Sequence, residues 1–288
     1  MKRVRQPQNG FTLIEIAIVL LIVSILLGYT VALFPKQREL KQYRAVDQEM
    51  DEIIAAIVGF AQVNGRLPCP AIPNSGGIED GGGGVDCNNY GGFVPVNTLG
   101  IQRRLNADSL LLDPWGNPYR YYVTDNDFNG GGTGSDFVNS GDMRTIGLVD
   151  SDLDTYIDLD GHYLICDAIG GSTDDQCTGA NEVFGTYNAG PPVVYAGAPF
   201  ILVSHGKNWK DAAVGDELEN MGATLTTAFA PVIPNGPEGS PYLLKNVAAS
   251  ETTFVKRTTG FADDFDDVVK WVSPNILFSK MIEAGQLP

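Results

Sequence analysis

The sequence predicts an α+β protein: one long N-terminal helix packed on an antiparallel sheet with elaborated loops. Three observations predict it. Residues 11–34 form one apolar run, and residues 36–64 carry apolar side chains at helical spacing. Beyond them, short aromatic and β-branched segments alternate with stretches rich in Gly, Pro and Asn. The 288 residues suffice for a sizeable core, in one large domain or two small ones. The net charge is -16, and loss of residues 1–10, with Lys2, Arg3 and Arg5, would take it to -19. Nucleic acid and anionic lipid repel so acidic a body, which argues against a nucleic-acid partner, whereas divalent cations are attracted.

The apolar run comes first. A helix over residues 11–34 would be roughly 36 Å long, enough to cross a bilayer. Lys2, Arg3 and Arg5 precede it, so the short N-terminus stays in the cytoplasm and the body lies outside. A secretory signal peptide has an apolar core of only about 7–15 residues, followed by a small-residue cleavage site. This run is longer and no A-x-A pattern follows it, which favours an anchor over a removed signal. Glu15 stands near its start, where a carboxylate in lipid costs several kcal/mol unless it reaches the interface or a partner.

Pro35 interrupts or kinks the helix. Over residues 36–64, Leu40, Tyr43, Met50, Ile53, Ile54, Ile57, Phe60 and Ala61 recur every three or four residues, with Lys36, Arg38, Glu39, Lys41, Asp47, Glu49 and Glu52 between them. This second half is amphipathic and offers a stripe for a head domain, and Asn64-Gly65 ends it. Residues 70–92 read as a loop bracketed by Cys69 and Cys87. Asp113-Pro114 and Gly116-Asn117-Pro118 punctuate turns before a strand at 119–124. Further strands are predicted at 162–166, 199–204, 253–256 and 267–272. A terminal helix is predicted at 274–284, with Ser273 as its cap, Pro274 at its first position and Gly285 at its end.

Four cysteines permit three connectivities. The local one, Cys69 with Cys87 and Cys166 with Cys177, closes the smallest loops, and an exported body meets an oxidising compartment. Residues 125–136 fit a twelve-residue calcium loop, with Asp125, Asp127, Asn129, Thr133 and Asp136 at the oxygen-donating positions and Gly130 at the turn. Asp136 is shorter than the usual Glu, and a strand precedes the loop in place of a helix. Asp150, Asp152, Asp154, Asp158 and Asp160 form a second acidic run, in which Asp150, Asp152 and Asp154 have ligand spacing without the following glycine. Catalysis has little support. Ser204 and His205 are adjacent, His162 and His205 are the only histidines, and the glycines at 81–84 lack the Lys-Ser/Thr of a phosphate loop.

Gly10-Phe11-Thr12-Leu13-Ile14-Glu15 resembles the processing site of type IV prepilins and type II secretion pseudopilins. The resemblance implies that a prepilin peptidase cuts after Gly10 and that the new terminal Phe11 is N-methylated. Glu15 then takes the place of the family's glutamate, facing the amino group of a neighbouring Phe11 when apolar helices bundle into a filament. An acid paired in that low-dielectric bundle is far less costly than one alone in lipid. Asp113-Pro114-Trp115-Gly116-Asn117-Pro118-Tyr119 and Asn64-Gly65-Arg66-Leu67-Pro68 resemble segments of the major pseudopilin. Ser204-His205-Gly206 with the acids at 263–267 loosely resembles that protein's C-terminal calcium loop. Insertions at 69–95 and 125–200 make this chain longer.

The resemblance therefore implies a leader at 1–10, a transmembrane and filament-core helix at 11–34, the amphipathic half at 35–64 and a periplasmic or extracellular head at 65–288. It implies a single-pass inner-membrane protein, not an enzyme, that acts as a minor pilin-like subunit of a pilus or secretion pseudopilus. The implied partners are prepilin peptidase, other pilins or pseudopilins and the inner-membrane assembly platform, with calcium as ligand. A tip adhesin or substrate-binding module on the same anchor is the alternative.

Overall fold

The computed structural model describes residues 12–31, 34–81, 86–125, 127, 135–146, 161–167, 182–184, 186–188, 193–195, 197–207, 220, 253–257 and 265–288, the stretches at 28–31, 34–36 and 182–195 by backbone alone. The chain divides into two compact units, Met1–Ala45 and Val46–Pro288.

The first unit holds α1 (Leu13–Val31) and the beginning of α2 (Phe34–Asn64). Every large aliphatic side chain from residue 13 to residue 27 is exposed, from 42% at Val23 to 90% at Leu13. A helix apolar on all its faces needs an apolar surrounding. Ser24, its one hydroxyl in that stretch, is satisfied inside the helix by donating to Leu21 O at 2.8 Å. Pro35 lies in the first turn of α2, where its missing N–H breaks no helical bond.

In the second unit, Val46, Met50, Ile53, Ile57 and Ala61 of α2 recur at spacings of three and four and are buried. The helix ends as the sequence predicts: Gly65, at φ 68°, donates its N–H to Ala61 O at 2.9 Å. The stripe packs on a four-stranded antiparallel sheet in the order β1-β2-β7-β9, formed by β1 (Gly91–Phe93), β2 (Arg120–Val123), β7 (Phe200–Ser204) and β9 (Val268–Trp271). Tyr121, Val123, Phe200 and Leu202 face α2, together with Leu277, Phe278 and Met281 of α4 (Pro274–Glu283). The alternate residues Tyr122, Ile201, Val203 and Val269 pack instead with Tyr163, Ile165 and Phe254. These come from a second sheet and its approach, ordered β4-β3-β8, with β3 (Leu164–Cys166), β4 (Glu182–Phe184) and β8 (Thr253–Val255). The unit therefore has three layers, helix, sheet and sheet, and the central strands are buried on both faces.

Five strands and the terminal helix stand where the sequence predicts them. Three differences have physical reasons. The segment read as a loop at 70–92 closes on itself through bridges from Ala71 to Glu79 and Phe93, and ends in β1. β1 has three residues, two of them glycine, too few for a periodic signal. The hairpin strands β5 (Thr186–Asn188) and β6 (Val193–Tyr195), with β4 and the short α3 (Asp142–Ile146), fall inside the segment read as an insertion. β3 pairs with β8 in parallel, so the second sheet is mixed.

Candidate functional site

The N-terminal motif lies on the first unit. Gly10 and Phe11 lie outside the described residues. Thr12 precedes α1 and Glu15 is its third residue. The Glu15 N–H donates to Thr12 Oγ1 at 3.3 Å, and the Thr12 N–H donates back to Glu15 Oε2 at 3.4 Å. This reciprocal pair is a capping box, which satisfies two N–H groups that a helix start leaves open. Its carboxylate also sits at the positive end of the helix dipole. Glu15 is thus anchored beside its own helix start, on an exposed apolar stem. Among the described residues no helix is long and apolar enough to cross a membrane. The side chains described for α1 stop at Leu27, and the apolar run of the sequence goes on to Phe34.

The second unit carries the acidic candidates. Of the predicted calcium loop, Asn129 and Thr133 lie outside the described residues, and so do Asp150, Asp152 and Asp154 of the second run. Asp125, Asp127 and Asp136 are described. Asp125 Oδ1 lies 3.2 Å from His162 Nδ1, which also lies 2.6 Å from Thr124 Oγ1. Burial holds the Asp125 carboxyl above the ordinary range. The same desolvation lowers His162 to about 3, and its Nε2 is buried without a hydrogen-bond partner. Asp136 is fully buried. Among the described residues no group of three or more His, Cys, Asp or Glu is placed to hold a metal ion.

The segments noticed separately in the sequence meet in one buried polar cluster. Asp113 Oδ1 accepts the N–H groups of Trp115 at 2.9 Å and Asn117 at 2.8 Å, which closes the turn between Pro114 and Pro118. Asp113 Oδ2 accepts Ser204 Oγ at 2.8 Å, and Asn117 Nδ2 donates to Gly206 O. Gly206, at φ 61°, lies against Asp266: a Cβ there would meet its carboxyl at 2.5 Å. Asp266 Oδ2 accepts the Lys207 N–H at 2.5 Å. Asp267 Oδ1 lies 3.1 Å from His205 Nδ1, and Asp267 Oδ2 accepts Asn220 Nδ2 at 2.9 Å. Asp263 lies outside the described residues, while Asp266 and Asp267 meet donors of the protein itself. Arg120, fully buried and with its guanidinium over the Phe93 ring, is opposed by desolvation and supported by Tyr122, Asp267 and Asp113. Sequence reading missed Arg120 and Asn220, because nothing local distinguishes a buried polar residue from an exposed one.

The loop after α2 is pinned twice. Cys69 and Cys87 are joined, as the local pairing predicts. Arg66 makes two bonds to Glu79, at 2.9 and 2.7 Å, and Glu79 also accepts the Cys69 N–H at 2.9 Å. Cys166 is disulfide-bonded too, and Cys177, its partner in the expected bridge, lies outside the described residues.

An exposed apolar helix capped by Thr12 and Glu15 in the first unit, and a layered second unit that begins within α2, give the outline of the chain. Comparison with known families gives that outline a name. Residues 5–31 match the family model of the prokaryotic N-terminal methylation motif, which supports placing this chain among the type IV pilins and pseudopilins. That motif implies a membrane-anchored N-terminus, other pilins and prepilin peptidase as general partners, and a structural subunit. No curated protein and no solved structure matches the chain.

Proposed function

We propose that this chain is a minor pilin-like subunit of a type IV pilus or type II secretion pseudopilus. Residues 11–34 anchor it as a single pass in the inner membrane, with residues 1–10 cytoplasmic and the head periplasmic. Prepilin peptidase cuts after Gly10, Phe11 is methylated, and the assembly platform moves the subunit into or to the tip of a filament. One observation carries this reading: within the matched motif, a helix whose large aliphatic side chains are exposed on every side begins at the Thr12–Glu15 cap. Such a helix suits lipid before assembly and a helix bundle after it. The elaborated head, with a second sheet and a disulfide-closed loop, supports a low-copy position over a bulk shaft. Calcium is proposed from the spacing of Asp125, Asp127, Asn129, Thr133 and Asp136.

The test is mass spectrometry of the N-terminus from the membrane fraction. In cells with active prepilin peptidase, the mature chain begins at methylated Phe11, and an intact Met1 would refute the assignment. Glu15→Ala should leave insertion and cleavage intact while incorporation into filaments falls. Normal incorporation would remove the pairing role of Glu15 and leave the processing result standing.

A further inference from the structure

Charge is segregated along α2. Its early part carries Lys36, Arg38, Lys41 and Arg44 with one acid, Glu39, and the next two turns carry Asp47, Glu49, Asp51 and Glu52. The four acids at 47–52 all meet donors within their own unit. Lys270 holds Asp47 at 2.7 Å and Asp51 at 2.5 Å. Arg104 and the Tyr119 hydroxyl hold Glu49 at 2.6 and 2.7 Å, and Arg103 holds Glu52. The cations do not: among the described residues Arg38, Lys41 and Arg44 are exposed and have neither an ion pair nor a side-chain hydrogen bond. Their three-residue spacing keeps them within a sector of about 120° on one side of the helix.

We infer that Arg38, Lys41 and Arg44 form a collar that binds anionic phospholipid headgroups on the outer face of the membrane holding the anchor. The inference rests on the single-pass reading above. Arg38 follows the end of the apolar run by four residues and Arg44 by ten, or roughly 6 and 15 Å of helix. The headgroup zone is about 5–8 Å thick on each side, and long basic side chains reach back toward it. The collar also answers a charge problem. A chain of net charge -16 is repelled by an anionic surface, and three unpaired cations beside the anchor reverse the sign where protein and lipid meet. Asp47, Glu49, Asp51 and Glu52 are engaged by Lys270, Arg103 and Arg104, and against the single acid Glu39 the segment 36–44 keeps a net charge of about +3, which suits lipid phosphates as the countercharge.

The experiment uses the full chain with Lys2→Gln, Arg3→Gln and Arg5→Gln, so that basic residues remain on one side of the anchor only. It is reconstituted in phosphatidylcholine bilayers containing spin-labelled phosphatidylglycerol or phosphatidylcholine. The motionally restricted fraction reads the preference of the protein for each lipid. Phosphatidylglycerol should be preferred by at least about fivefold at low salt, the worth of one cation near the surface. The preference should collapse at 0.5 M salt through screening, and further substitution of Arg38→Gln, Lys41→Gln and Arg44→Gln should abolish it. Since these side chains bond nothing in the structure, the variant should keep its melting temperature. Insertion without a preference, or a preference that survives the triple change, overturns the collar and leaves the anchor standing. Loss of the triple variant from filaments with lipid preference absent throughout would assign the cations to acids on a neighbouring subunit and overturn it equally. A chain that washes out of every bilayer at alkaline pH refutes the single pass, and the collar with it.

Discussion

His162 and His205 are buried, and burial lowers the pKa of both. For His205 the positive charge of Arg120 lowers it further, while Asp267 raises it. For His162 desolvation is the cause, although Asp125 Oδ1 lies 3.2 Å from its Nδ1. A native pKa below the unfolded value near 6.5 means that, between the two, the unfolded chain binds a proton that the native state refuses. Stability is therefore complete above about pH 6.5 and is lost as the pH falls, for His162 down to about 3. Asp113 and Asp125 act in the opposite sense: raised in the native state, they take up protons first and gain stability on acidification. His162→Gln separates the two effects. Between pH 6.5 and 5 the unmodified protein should lose about 2 kcal/mol that the variant keeps. Urea unfolding of a soluble chain lacking residues 1–34 measures this at both pH values, and parallel losses would show that His162 is not held neutral.

Among the elements, the loop closed by Cys69 and Cys87 rests on a nearly buried ion pair. Arg66 leaves the end of α2 with its guanidinium over the Phe60 ring, and it meets Glu79 with side chains only 6% and 13% exposed. The interior repays the desolvation of both charges only because the bonds are paired and Glu79 also takes the Cys69 N–H. Arg66→Ala would leave Glu79 buried without its cation and should cost about 3–5 kcal/mol. The double change of Arg66 and Glu79 to Ala should cost clearly less than the sum of the single changes, because it leaves no stranded charge. Denaturant unfolding of the four proteins gives the cycle, and additive losses would show the pair to be solvated. The pairs from Lys270, Arg103 and Arg104 to α2 involve more exposed partners and should matter less one by one.

For the molecule as a whole, the acidic balance makes calcium the ligand to test by stability. If residues 125–136 wrap an ion, three carboxylates that would otherwise repel are neutralised, and the chain is stabilised by RT ln(1 + [Ca]/Kd). Extracellular modules often bind only at about 0.1–1 mM, and Asp136 in place of Glu argues for that weaker end. The melting temperature of a chain lacking residues 1–34 should then rise in millimolar calcium relative to chelator, and Asp125→Ala with Asp127→Ala should reduce the rise. Identical melting in both conditions removes calcium as a folding ligand. A rise that survives the double change moves the ion to the run at 150–160 or to the acids at 263–267. Asp266 and Asp267 already accept bonds from Lys207 and Asn220, so an ion there would have to displace protein donors.

The sequence by itself determined the parts whose physics is local. An apolar run with Thr12 and Glu15 at its head specifies a capped helix and the methylation motif, whatever the rest of the chain does. The spacing of Met50, Ile53, Ile57 and Ala61 is that of one helix face, and the short separation of Cys69 and Cys87 favours their pairing. The strands β2, β3, β7, β8 and β9 were legible from β-branched and aromatic residues between turn signals. Only the tertiary structure decided what depends on strand order. The bond from Ser204 to Asp113 joins residues 91 apart, and that from His205 to Asp267 joins residues 62 apart. Both follow from β7 lying between β2 and β9, which no periodicity encodes. Arg120 has a charged residue's preference for solvent, yet it is buried beside Tyr121 and Tyr122, on strands covered from both sides. Local spacing says which side chains share a face. Long-range pairing decides whether that face meets water, and with it the energetic standing of every polar group on it.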